Sequence, residues 1–95
     1  MHVEKAKKRI AKQVKKGGSA YPRISIEYFG EQPDLATSLV VTFILEEGAE
    51  AQEQRFVSEL DAREDETIQT TLVKIIERAN AKTVTQAAHI NVASQ

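Results

Sequence analysis

The nine residues Ser38-Leu39-Val40-Val41-Thr42-Phe43-Ile44-Leu45-Glu46 are apolar on both of their alternating faces, and no other run in the chain shares that property. Leu39, Val41, Phe43 and Leu45 point one way, Val40, Thr42 and Ile44 the other. This is the pattern of a strand with neighbours on both edges and cover above and below. Its β-branched and aromatic content, between Pro33-Asp34 and Glu47-Gly48, favours a strand over a buried helical segment. Val41 and Phe43 are therefore expected in the core.

The flanking chain supplies that strand with partners. Val3, Ala6, Ile10 and Val14 recur at steps of three and four, predicting an amphipathic helix over residues 2–16 that stops at Gly17-Gly18. Ile24, Ile26 and Tyr28 alternate with Ser25, Glu27 and Phe29 in a half-buried strand, and residues 30–37 form a loop. Residues 50–59 read as a polar edge strand, with a short helix as the alternative, because only Phe56 and Val57 are strongly apolar there. Ile68, Leu72, Ile75, Ile76 and Ala79 form the stripe of a second helix over residues 62–80, with Asp61 and Glu64 resembling a capping box. Residues 83–93 return to period two, with Ala88, Ile90 and Val92 on one side and Ala87, His89 and Asn91 on the other.

The order α-β-β-β-α-β predicts an α+β fold: a two-layer sandwich of a four-stranded mixed sheet with both helices on one face. A right-handed crossover makes the closing strand parallel to the first, and the polarity of the third strand marks it as an edge, so the expected sheet order is 4-1-2-3. Val3, Ile10, Val14, Leu72, Ile75 and Ile76 are expected to pack on Ile24, Ile26, Leu39, Val41 and Phe43.

Ninety-five residues fit one domain, 1–95. A mean hydropathy of -0.38 argues against a membrane span. The first residues are charged where an export signal needs an apolar core, so a cytoplasmic location is expected. The absence of cysteine rules out disulfides, thiolate metal sites and cysteine nucleophiles.

The net charge of -1 conceals an asymmetry. Residues 1–16 hold seven cations against Glu4, a net +6, which leaves -7 for the remainder. Lys5, Lys8, Arg9, Lys12, Lys15 and Lys16 fall within roughly 120° of the first helix, opposite its apolar stripe. Six cations on one arc form a candidate surface for an anionic partner such as nucleic acid or the ribosome. The same lysines also serve simply to keep an amphipathic helix in water. No aromatic side chain is interleaved to stack on bases.

The layout of helix, three-stranded meander and helix resembles that of double-stranded-RNA-binding domains and ribosome-bound hibernation factors. The former place basic residues at the start of the second helix, whereas Glu64-Asp65-Glu66 stand there in this chain. The full order also resembles the PD-(D/E)xK nuclease core, onto whose motif Pro33-Asp34 and Glu50-Ala51-Gln52 would fall. Metal-dependent cleavage requires two strand-borne carboxylates around one metal and a nearby lysine or glutamine. Pro33-Asp34 reads more simply as a turn, and Glu50 has no lysine beside it.

His2 and His89 lie in no ligand-spaced motif and are expected at the surface, and Gly17-Gly18-Ser19 reads as a hinge. No catalytic residue, cofactor or metal is expected. The sequence predicts a small non-enzymatic interaction domain that self-associates as a homodimer through Phe29, Val40 and Ile44, on the face of the sheet the helices leave bare. Binding of another protein, nucleic-acid or ribosome binding through the first helix, and a degenerate nuclease-like or small-ligand-binding protein are the alternatives.

Overall fold

The computed structural model describes residues 2–92. The elements run α1 (Val3–Lys16), β1 (Arg23–Gly30), β2 (Ser38–Ile44), β3 (Gln52–Val57), a 3-10 turn (Ala62–Glu64), α2 (Glu66–Ala79) and β4 (Thr83–Val92). The strands form one sheet in the order β3-β2-β1-β4. β1 is antiparallel to β2 and parallel to β4, and β2 is antiparallel to β3. This is the expected α+β fold, with residues 52–57 an edge strand and not a helix.

Local chemistry sets the helix ends. The imidazole of His2 caps α1 by accepting from the Glu4 N–H at 3.4 Å, and Gly17 ends the helix at a φ of 63° with its N–H on the Val14 carbonyl. α2 starts at Glu66, later than the capping-box pattern predicts. Asp61 caps the 3-10 turn instead, accepting from the Arg63 N–H at 2.9 Å, while Asp65 caps α2 from the Ile68 N–H at 3.1 Å. The break arises because Ala62 is pinned in the core: its N–H donates to Ala36 at 2.7 Å and its carbonyl accepts from Gln69 Nε2 at 2.9 Å. Asn80, in the left-handed region at φ 53°, closes α2.

The core lies between the helices and one sheet face. Ala6, Ile10, Ile24, Ile26, Tyr28, Leu39, Val41, Leu72, Val73, Ile76 and Val84 are buried, and Val14, Phe43, Phe56 and Ile75 pack at its margin. Four residues expected in the core are only half-buried: Val3, Val14, Phe43 and Ile75. Val3, Val14 and Phe43 sit near the ends of their elements, where cover thins. The expectation that β2 is covered above and below also fails: Val40, Thr42 and Ile44 are half-exposed, since both helices lie on the other side.

β4 departs from strict alternation. Ile26 pairs with Gln86 and Tyr28 with Ile90, so Ala87, Ala88 and His89 together face the single residue Glu27. Val84, Gln86 and Ile90 consequently share the helix side. The predicted end of this strand, Ala93, lies outside the described residues. Gly30 is required for packing, since a Cβ there would sit 2.1 Å from the Leu35 carbonyl oxygen.

Candidate functional site

The register fixes what the open sheet face carries. Across β2 and β1, Ile44 lies opposite Arg23, Thr42 opposite Ser25, Val40 opposite Glu27 and Ser38 opposite Phe29. On the third strand Glu53, Arg55 and Val57 continue the rows of Thr42, Val40 and Ser38. Phe56, opposite Leu39, belongs to the helix side, which settles that Val57 is the residue shown to solvent; it is 76% exposed.

The three candidate contact residues are all half-exposed, but they do not form one cluster. Phe29 and Val40 are diagonal neighbours. Ile44 is four residues from Val40 along the strand, roughly 13 Å away, with Thr42 between them. The face is also threaded with polar contacts: Arg55 Nη2 donates to Ser38 Oγ at 3.2 Å with its guanidinium carbon 6.0 Å from the Phe29 ring centroid, Thr85 Oγ1 donates to Ser25 Oγ at 3.0 Å, and Asn91 donates to Glu27 at 3.3 Å.

The basic helix is divided by its packing against α2. Lys7 is ion-paired with Glu64, whose hydrogen bond raises the lysine pKa despite partial burial. Arg9 turns toward α2 and meets Glu77 at 3.4 Å, so one of the six predicted cations is engaged. Lys5, Lys8, Lys12, Lys15 and Lys16 remain exposed and have no acidic partner among the described residues. They span an arc of about 100° on the solvent side of α1.

A polar cleft that the sequence reading missed opens between α1, the 3-10 turn and β4, lined by Glu4, Lys7, Tyr28, Arg63, Gln69 and Gln86 among others. At its floor the buried Tyr28 hydroxyl accepts from Gln69 Nε2 at 3.2 Å and from Gln86 Nε2 at 3.3 Å. Burial pushes the phenol pKa up, so the ring stays neutral. Arg63 is held by Asp61 at 2.6 Å, and that hydrogen bond lowers the Asp61 pKa. The available signal was Gln69, a polar residue within the apolar stripe of α2. Within the cleft Tyr28 is engaged by Gln69 and Gln86, Lys7 by Glu64 and Arg63 by Asp61.

The carboxylates that would fall on the nuclease motif are not brought together. Asp34 lies in the loop between β1 and β2, and Glu50 in the connection between β2 and β3, at opposite ends of β2. A strand of that length separates them by roughly 20 Å. Among the described residues no three His, Cys, Asp or Glu side chains are grouped so as to hold a metal ion. His2 and His89 are both exposed. No helix among the described residues is long and apolar enough to cross a membrane.

Comparison with protein-family models, curated proteins and solved structures found no match to this chain.

Proposed function

We propose that this protein is a small, non-enzymatic cytoplasmic interaction domain that associates with a second copy of itself, most simply as a homodimer, through the open face of its sheet. The observation that carries this reading is the one-sided cover: both helices lie on one face, and Phe29, Val40 and Ile44 stay half-exposed on the other beside Val57. Apolar side chains left in this way on a sheet are favourable to bury, and a twofold contact covers both copies at once. The polar groups among them suit a contact of moderate affinity. Light scattering at micromolar concentration should give an oligomer whose mass halves when Val40→Glu and Ile44→Glu are combined, with the circular dichroism of the fold retained. A monomeric wild type at that concentration would overturn the reading.

A second reading rests on the five exposed lysines of α1. It is that this face binds a polyanion such as nucleic acid or the ribosome through phosphate contacts, whose affinity falls steeply with salt. Charge reversal at Lys8, Lys12 and Lys16 should then abolish a gel shift on duplex DNA, duplex RNA or ribosomes while moving the thermal midpoint little. Absence of any shift at low salt removes it.

A further inference from the structure

The edge strand β3 carries a pattern that neither the open face nor the basic helix uses. Its sequence is Gln52-Glu53-Gln54-Arg55-Phe56-Val57, and five of the six residues are exposed. The Ser58 N–H donates to the Thr37 carbonyl at 2.9 Å, extending the β2–β3 ladder by one pair. Backbone groups alternate sides along a strand, so those of Phe56, Gln54 and Gln52 also turn toward β2. The groups of Glu53, Arg55 and Val57 are left facing outward along the free edge.

We propose that a second copy of this chain pairs with this edge, antiparallel, β3 against β3, about a twofold axis through Gln54 and perpendicular to the sheet. In this register Glu53 of each copy lies directly opposite Arg55 of the other, on the same face, giving two reciprocal ion pairs. Their outward N–H and C=O groups meet as hydrogen-bonded pairs. Val57 comes to lie opposite Ala51 of the other copy, which covers the most exposed large apolar side chain of the sheet among the described residues.

Charged residues on an edge normally discourage pairing. Here the two signs stand two residues apart on one face, and the effect is selection of register. Sliding the copies by two residues in either direction sets Glu53 against Glu53 or Arg55 against Arg55, which is repulsive. Glu53 has no partner within the chain among the described residues, and Arg55 holds only Ser38 and the Phe29 ring. The opposite edge of the sheet is less suited, because the irregularity at Ala87–His89 interrupts its outward row of backbone groups.

This inference rests on the reading that the chain self-associates, but it uses a different surface: an edge pair leaves both open faces free. The test is therefore run in a Val40→Ser, Ile44→Glu background, which breaks the face contact without setting a new carboxylate opposite Arg55. Glu53→Arg alone and Arg55→Glu alone should each raise the dissociation constant of the remaining dimer by roughly tenfold or more, measured by analytical ultracentrifugation. An equimolar mixture should restore dimers, since each copy then offers the charges the other lacks. In parallel, the amides of Glu53, Arg55 and Val57 should exchange more slowly as protein concentration rises, while those of Gln52 and Gln54 hardly change. A background variant that is monomeric at about millimolar concentration, or a mixture that stays monomeric, overturns the edge pairing. A wild type that still halves its mass on face substitution would then leave the face reading standing alone.

Discussion

Val40 and Val41 are adjacent in sequence and identical in chemistry, yet they lie on two faces of the sheet with different fates. On the covered face Ile24, Ile26, Tyr28, Leu39 and Val41 retain at most 3% of their exposure. On the open face Ser25, Phe29, Val40, Thr42 and Ile44 are all half-exposed, and Ser25 and Glu27 accept hydrogen bonds from Thr85 and Asn91 of β4. The alternation along β2 is almost equally apolar on both sides, so residue type alone does not decide burial. Position of the two helices does.

The largest effect is expected on the covered face. Leu39→Ala should cost about 3–4 kcal/mol in urea denaturation, because the side chain is fully enclosed and the cavity cannot collapse far. A loss below about 1 kcal/mol would mean the helices do not cover this face. The sharper test is the adjacent pair: Val41→Ala should cost about 2 kcal/mol and Val40→Ala less than about 1 kcal/mol in the same assay at concentrations where the protein is monomeric. Equal costs would mean that the open face is covered in the free chain.

Tyr28→Phe should cost about 1 kcal/mol, the size of a net hydrogen bond, since Gln69 keeps its bond to the Ala62 carbonyl and Gln86 can turn to water. The same variant should change the alkaline limb of stability. A phenol whose folded pKa is raised contributes stability that is complete below its unfolded value and is lost as pH rises through the folded one. Thermal melts above the ordinary tyrosine range should therefore flatten in Tyr28→Phe. The smallest effect is expected at Asp61, whose carboxyl Arg63 holds below the usual range. That contribution is present above the unfolded value and is lost as pH falls through the folded one, and the half-exposed guanidinium keeps it modest. Asp61→Asn should reduce the acid sensitivity of the melt without shifting its midpoint near neutral pH by more than a few degrees.

The amino-acid order was sufficient for the two helices, three of the strands and the α+β order, because each rests on periodicity and on glycine and proline punctuation. The six-cation arc was legible in the same way. The choice of strand over helix at residues 50–59 and the place of the closing strand beside β1 were expectations that the tertiary structure decided. Three further things required the tertiary structure. The start of α2 moved to Glu66 because Ala62 is tied to Ala36, in the distant β1–β2 loop, as well as to Gln69 of α2 itself. Arg9, still exposed, is engaged because Glu77, on another helix, came within reach. Ile44 proved to stand apart from Phe29 and Val40, with Arg55 lying over Phe29, because the pairing register distributes residues among rows, and a single strand's alternation says which face a side chain takes without saying what stands beside it.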